Sequence, residues 1–317
     1  VHARKTEAIA QCRPTHQPLA TPEGWISMAD SRQDGTLRIT SLAGWRAGRI
    51  LDLRTAADFA ALHLRGAVSH PVVQGADPAT AVPSIFLPPR EQPLLVITDD
   101  DATARRAAED FAGRGRGKVD GLGLTASDLG HLPSGMVEQG ACSGRLWEPP
   151  AWLRCYEDLL PPPALGPVVD LGCGSGRAAV WLARRGYAVT GFDHQPEALA
   201  LGARLAASED CRCDFRQADL RHTDQWPTGS WGVLMAHRYL QRDLLSAMAG
   251  ALVPGGVAVV RTFREAPGYM GHPSPRHRLA PRELARFFAR NRFEILAYAE
   301  DFDPDGRPAA GIMARRY

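Results

Sequence analysis

The stretch with the clearest chemical potential is Asp170-Leu171-Gly172-Cys173-Gly174-Ser175-Gly176-Arg177, an acid followed by three glycines at every second position. Pro167 to Leu171 reads as a strand, and Arg177 to Arg185 as a helix. Glycines at such a junction permit a tight turn and close backbone approach to a ligand, while the helix start presents N–H groups. The spacing, G-x-G-x-G, is shorter than the G-x-G-x-x-G of dinucleotide-binding loops. Asp193, followed by His194, ends the next strand about 20 residues on, where a carboxylate can accept hydrogen bonds from both hydroxyls of a ribose. Asp219 and Leu220 close Gln217-Ala218-Asp219-Leu220 after a third strand, a position from which the acid can receive an adenine amino group. Ala236, beside the end of a later strand, completes the candidate binding set.

These residues need a scaffold, and the pattern supplies one. Ala188 to Phe192, Trp231 to Met235 and Val257 to Thr262 read as further strands, and Pro196 to Ala207 and Asp243 to Leu252 as helices. Residues 151–317 are thus expected to form a doubly wound α/β sheet, which binds ligands at the carboxyl ends of its strands where the winding reverses. Upstream, Ile50–Leu53 and Leu94–Ile97 read as strands, Ala56–Leu64 and Thr103–Phe111 as helices, and Pro83 to Arg90 as a loop. That alternation predicts a small α/β domain over 36–135, with 136–150 as a linker or lid segment. Residues 1–35 read as a flexible extension, and 1–27 alternatively as sequence upstream of a start at Met28.

The glycine loop with Asp170, the run Gly186 to Asp193, Asp219 and the turn Pro254-Gly255-Gly256 resemble the class I S-adenosylmethionine (SAM) methyltransferases over roughly residues 144–317. The resemblance implies a Rossmann-like fold and SAM as cofactor. SAM carries no phosphate, so its loop needs no basic partner. Asp170 can bind the ammonium of the methionine moiety, and backbone N–H groups its carboxylate. The residue pattern alone also fits a nucleotide-sugar or dehydrogenase domain, or a fold that has lost its ligand. Within the family, Asp170 to Arg177, Gly186 to Asp193, Leu279-Ala280-Pro281-Arg282-Glu283-Leu284 and the tail Glu300 to Arg316 look most like the tellurite-resistance and thiopurine-type small-molecule enzymes. Such a likeness implies a thiol, selenol or metalloid oxyanion as acceptor.

A sulfonium methyl carbon is already electrophilic, so the protein's part is chiefly alignment and exclusion of water. Candidates for holding the acceptor are His237, Arg238 and Tyr239 after the Gly232–Met235 strand, with His272, Arg276 and His277 as a second set. The plainer reading of each lone histidine is an ordinary surface or packed imidazole. Arg238 or Arg276 suits an anionic acceptor. Trp147 and Trp152 read either as an apolar lid over the methionine moiety or as packing between the domains.

Leu51-Asp52-Leu53-Arg54, Asp58-Phe59 and His63-Leu64-Arg65-Gly66-Ala67 resemble the rhodanese domain in order and spacing, over roughly 36–135. That family's sulfur transfer needs a cysteine after the Leu94–Ile97 strand. Here the position falls on Thr98, followed by Asp99, Asp100 and Asp101, and no cysteine lies between Cys12 and Cys142. Three aspartates repel thiosulfate and suit capping of the next helix. The expected domain is catalytically silent and contacts the methyltransferase, a protein partner or the acceptor.

Composition sets the outer bounds. The chain has 317 residues, 44% hydrophobic and 23% charged, near the average for globular domains. No run of about 18 apolar residues occurs, so no membrane-spanning helix is expected. A formal charge of +2 gives no case for nucleic-acid binding, and a macromolecular acceptor is the weaker alternative. The six cysteines show neither zinc-site spacing nor a disulfide framework, so no metal is expected. With no secretory pattern in the first residues, a cytoplasmic location is the expectation. All basic residues but Lys5 and Lys118 are arginine, a bias that reads as codon usage. A SAM-binding pseudoenzyme and, more remotely, a sulfurtransferase are the remaining alternatives.

Overall fold

The computed structural model describes residues 32–33, 36–37, 49–73 and 76–317. The extension assigned to residues 1–35 lies outside them except at β1 (Arg32–Gln33), which pairs antiparallel with β2 (Thr36–Leu37). The chain divides into two compact units, with the boundary between Glu148 and Pro149.

In the N-terminal unit the order is β3 (Ile50–Asp52), α1 (Ala56–Ala61), β4 (His63–Leu64), β5 (Val68–Ser69), α2 (Pro78–Ala81), β6 (Leu94–Thr98), α3 (Asp101–Gly113), β7 (Val119–Gly123), α4 (Ala126–Gly130) and β8 (Val137–Glu138). Four of the strands form a parallel sheet ordered β5-β3-β6-β7. Its central strand, Leu94-Leu95-Val96-Ile97, is buried on both faces, which is why it is a continuous apolar run and not an alternating one. The helix expected to reach Leu64 stops at Ala61, because His63–Leu64 pairs with Val137–Glu138 as a small antiparallel ribbon. The 136–150 stretch, expected as a linker, therefore contributes β8 to this unit, and Leu146 packs in its core. At the end of β3, buried Arg54 binds Asp52 through Nη2 at 2.7 Å and donates to the Leu62 carbonyl, tying strand to helix.

The C-terminal unit runs α5 (Ala151–Cys155), β9 (Val168–Leu171), α6 (Arg177–Ala183), β10 (Val189–Asp193), α7 (Pro196–Ser208), β11 (Asp214–Gln217), β12 (Trp231–His237), α8 (Arg242–Gly250), β13 (Leu252–Phe263), α9 (Glu283–Arg290), β14 (Phe293–Phe302) and β15 (Pro308–Arg316). Its seven-stranded sheet has the order β11-β10-β9-β12-β13-β15-β14, parallel except for β15. Winding goes outward from β9 to β11 and restarts at β12, so the β9/β12 boundary is the switch point where a doubly wound sheet opens a crevice. Leu252, read from sequence as the end of a helix, instead opens β13. The helix stops at Gly250, and Leu252 pairs with Trp231 before the register shifts so that Val257 opposes Val233.

Alternation along the strands separates two faces. Val169, Leu171, Leu234, Ala236, Ala258, Val260 and Ile312 point into one large apolar cluster with Leu244, Met248, Leu284 and Phe288 of α8 and α9. The opposite face carries Asp170, which is paired with Met235, and His237, which is paired with Arg261. Charged groups on a buried strand face need a reason, and they lie at the strands' carboxyl ends. Among the described residues no helix is long and apolar enough to cross a membrane.

Candidate functional site

The loop after β9 is built by its glycines. Gly172, Gly174 and Gly176 all have positive φ, +63°, +52° and +73°, a region that side-chain-bearing residues avoid. At Gly172 a β-carbon would lie 2.5 Å from Cδ2 of Tyr239, whereas at Gly174 it would meet nothing within 4 Å. The loop is thus closed beneath the Tyr239 ring and open at Gly174. Gly176 caps α6 in a left-handed conformation with no side-chain hydrogen bond of its own. Ser175 is half-buried in the same turn, and Arg177 opens the helix.

Asp193, at the end of β10, holds the loop in place. Its Oδ2 accepts the Gly174 N–H at 2.8 Å, and its Oδ1 accepts the Gln195 N–H at 3.0 Å. His194 is exposed at the rim, with Nδ1 3.3 Å from Asp193 Oδ1. The Cys173 N–H donates to the Phe192 carbonyl, and its thiol sits where a β-carbon on Gly191 would touch it at 2.9 Å. Burial pushes the Cys173 thiol well above the ordinary range, so it is a packing group and no nucleophile.

Asp170 is 2% exposed, and its Oδ2 has no hydrogen-bond partner. Burial, and then the nearby Asp193 charge, push its carboxyl up to about 8. A buried acceptor left unmatched beside an open glycine turn is the mark of a place for a donor. Asp219 is differently placed: both its oxygens accept from Arg221, whose hydrogen bonds hold the carboxyl well below the usual range. Leu220 is buried in the apolar cluster, as is the methyl of Ala236, so neither side chain faces the loop's open side.

The strand expected to end at Met235 runs two residues further, so His237 is the last residue of β12. Burial, reinforced by Arg238, lowers it to about 4, so the imidazole is neutral near pH 7. Arg238 follows with φ +59° and turns toward the β14–β15 hairpin. Its Nε donates to Asp303 at 2.9 Å and its Nη2 to Asp305 at 2.7 Å. Tyr239 donates its hydroxyl to Gln241, and burial, with Asp219 and Asp193 next, pushes the phenol up to about 12. The second set is not joined to these. His272, Arg276 and His277 are exposed on a loop gathered by buried Arg278, which donates to the carbonyls of Tyr269, Gly271 and Pro273. Trp152, read as a lid or a packing residue, lies flat on the sheet within its own unit, against Gly311 and under Arg261.

Sequence reasoning missed Arg261 and Asp303. Arg261 donates to Asp303 at 2.8 Å and to Asp301 at 2.8 Å from inside an otherwise apolar strand. A lone arginine in the run Val257 to Thr262 was the available signal. Among the described residues no group of three or more His, Cys, Asp or Glu is placed to hold a metal.

Residues 168–256, which span the glycine loop, Asp193, Asp219 and His237, match the family described as Methyltransferase domain. That stretch is similar to methyltransferase domains. No curated protein matches the chain. Among solved structures, TehB from Haemophilus influenzae is 20% identical over 52% of this chain, with a TM-score of 0.44. The match spans 61% of TehB's own length. A Mesorhizobium loti S-adenosylmethionine-dependent methyltransferase is 22% identical, covers 52% of this chain and 98% of its own, and has a TM-score of 0.41. Magnesium protoporphyrin IX methyltransferase from Synechocystis PCC 6803, with bound SAH, is 16% identical over 53% of this chain and 80% of its own, with a TM-score of 0.41.

The donor set around the glycine loop suits a ligand that carries an ammonium and no phosphate. Asp170 offers an unmatched acceptor suited to an ammonium, and Gly174 leaves the backbone open beside it. No lysine stands in the loop, as befits a ligand without phosphate.

Proposed function

We propose that the methyltransferase domain methylates a small soft nucleophile, a thiol, selenol or metalloid oxyanion, and that the N-terminal unit is a catalytically silent rhodanese-like module. Bound S-adenosylmethionine supplies a methyl carbon made electrophilic by its sulfonium. The chain's own residues bind and align. Asp170 receives the ammonium, the N–H groups around Gly174 to Arg177 the carboxylate, Asp193 the ribose hydroxyls, and Asp219 the adenine amino group. Each Asp193 oxygen holds one loop N–H and keeps a lone pair for a hydroxyl.

The reading of a soft nucleophile rests on His237. A neutral imidazole adds no positive charge beside a sulfonium. With its affinity for protons lowered to about 4, it is too weak a base to deprotonate an alcohol or ammonium at neutral pH. A thiolate or selenolate needs no such base. The observation that carries the cofactor assignment is the unmatched Asp170 Oδ2 behind an open glycine turn. Calorimetry with S-adenosylmethionine, then a methylation screen over thiols, selenite and alcohols, tests the whole. The expected result is cofactor binding with turnover on thiol or selenite only. Binding without turnover on any acceptor would leave a cofactor-binding pseudoenzyme.

For the N-terminal unit, the support is the strand end at Thr98. Its hydroxyl donates to the Asp100 carbonyl, Asp100 caps α3 through the Thr103 N–H at 2.9 Å, and Asp101 accepts the Gly123 N–H at 2.8 Å. The loop is closed on itself by acids where a persulfide chemistry would need a thiolate and converging N–H groups. Such a module is suited to contact a protein partner or the acceptor.

A further inference from the structure

Asp219 lies beside Asp193 at the carboxyl end of the sheet. Gln217, the last residue of β11, pairs with Asp193, and the Ala218 N–H donates to the Asp193 carbonyl at 2.9 Å. Burial first, then the charges of Asp219 and Asp193, push up the Tyr239 phenol, so the two acids border one space. The Asp219 backbone is pinned. Its N–H donates to Gln225 Oε1 at 2.8 Å, and its carbonyl accepts the His222 N–H at 3.0 Å. The Trp226 indole N–H donates to the next carbonyl, that of Leu220, at 2.8 Å.

The Asp219 carboxylate is already full. A carboxylate offers about four lone-pair sites. The Arg221 backbone N–H takes one on Oδ1 at 3.1 Å. Arg221 Nε donates to Oδ1 at 2.9 Å and to Oδ2 at 3.1 Å, and Nη2 donates to Oδ2 at 2.6 Å. Those bonds use every site, and an adenine amino group finds no acceptor while they stand. All but the first come from a side chain that is 79% exposed, on an acid that is 25% exposed. With the turn pinned, the guanidinium is the part that can move, and water receives it when it does. An exposed pair of this kind is weak, so a donor of fixed geometry can displace it.

We infer that Arg221 is a latch on Asp219: its guanidinium and the adenine amino group compete for the same carboxylate oxygens, and the cofactor binds by displacing the side chain into water. The latch rests on the assignment of Asp219 to the adenine and adds the residue that limits the grip. Competition also makes it discriminate. A purine with an amino group gives Asp219 a donor in exchange for the fork. A purine with a carbonyl in that place sets one acceptor against another and gains nothing from an open latch.

The probes are S-adenosylhomocysteine and S-inosylhomocysteine, its deaminated counterpart with a carbonyl in place of the amino group. Calorimetry compares them on the full-length wild type, Arg221→Gln and Asp219→Asn. His222, whose Nε2 is 3.6 Å from Asp219 Oδ2, is retained in every protein compared. Arg221→Gln should bind S-adenosylhomocysteine about two- to fivefold more tightly than the wild type, the worth of one exposed ion pair. It should bind S-inosylhomocysteine no more tightly. Raising the salt from about 0.05 M to about 0.5 M should narrow the gap between the two proteins, because screening loosens the latch only where the arginine is present. Unchanged or weakened binding of S-adenosylhomocysteine by Arg221→Gln overturns the inference, as does equal tightening of both probes. If Asp219→Asn separates the two probes as widely as the wild type does, the adenine assignment of Asp219 fails and takes the latch with it. Failure of the wild type to bind S-adenosylhomocysteine at all would instead sink the cofactor reading on which both stand.

Discussion

The Tyr239 ring stands on Gly172: a β-carbon at position 172 would lie 2.5 Å from its Cδ2 and 2.6 Å from its Cγ. Two strand ends on either side of the switch point are thereby locked together, one giving the backbone and the other the ring. Gly172→Ala meets two obstacles, the ring and a φ of +63°. We expect it to destabilise the C-terminal unit by about 2–4 kcal/mol, the sum of a left-handed strain and an overpacking cost. In a Tyr239→Ala background the same change should cost about 1–2 kcal/mol, since only the backbone strain remains. Chemical denaturation of the four proteins as a double-mutant cycle measures this. Equal costs in both backgrounds would show that the ring does not press on the glycine.

Asp170 gives a pH prediction with a definite sign. Its carboxyl is raised to about 8 in the folded protein, above the ordinary carboxylate range, so it is mostly protonated near neutral pH. An ammonium placed against it favours the ionised form. Cofactor binding at pH 7 should therefore release a proton, and affinity should rise with pH up to about 8 and then level off. The stability of the free protein is expected to follow the opposite trend. A raised acid contributes stability in full below its unfolded value and loses it as pH climbs through about 8. Calorimetry in buffers of different ionisation heats counts the released proton, and Asp170→Asn should abolish the release. A binding enthalpy independent of buffer in the wild type would contradict the assignment of Asp170 to the ammonium.

What the sequence disclosed and what it hid divide along chain separation. Strands β9 and β10 and the glycine turn are local patterns, an apolar run ended by Gly or Asp, and the cores of β12 and β13 are apolar runs as well, so they were legible. So was the acidic cap of α3, since Asp100 and Thr103 are three residues apart. The length of α1 was not, because the residues that stop it are Val137 and Glu138, more than seventy positions away. The acceptor side was the least legible. Arg238 was read as a hand for an anion, yet its partner Asp303 is 65 residues further on. Arg261 looked like a mid-strand oddity until the β14–β15 hairpin brought Asp301 and Asp303 against two of its nitrogens. Which arginine is committed and which has a spare N–H is a tertiary fact.

Arg238 is consequently expected to matter for stability more than for acceptor affinity. It shares Asp303, which is 5% exposed, with Arg261. Burial alone would raise the Asp303 carboxyl, but the two arginines outweigh it and hold it below its ordinary value. Losing Arg238 leaves Asp303 with one cation. Its own side chain is 36% exposed, so screening trims the loss to about 1–2 kcal/mol. Arg238→Gly relieves the positive φ and should cost less than Arg238→Ala. Thermal unfolding of both, beside acceptor KM, checks this. A large rise in KM with unchanged stability would return Arg238 to the acceptor site.

The silent reading of the N-terminal unit predicts that restoring the missing thiol is not enough. Thr98 is 5% exposed and its hydroxyl is spent on the Asp100 carbonyl, so a cysteine there would enter a closed turn. Asp99 next to it is already pushed above its ordinary value by burial, then by Asp58, which marks the turn as hostile to a further negative charge. A thiolate at 98 would face the same field, its pKa raised and its attack on thiosulfate slowed. We expect neither the wild type nor Thr98→Cys to transfer sulfur from thiosulfate to cyanide. Replacing Asp99 and Asp101 by Ser and Gly in the Thr98→Cys background should allow persulfide formation, detectable by mass spectrometry. Asp100 is kept in that variant, because removing the α3 cap would cost about 1 kcal/mol and confuse loss of folding with loss of chemistry. Sulfur transfer by the unmodified chain would mean that a cysteine outside this loop reaches the site, and the module would then be an enzyme.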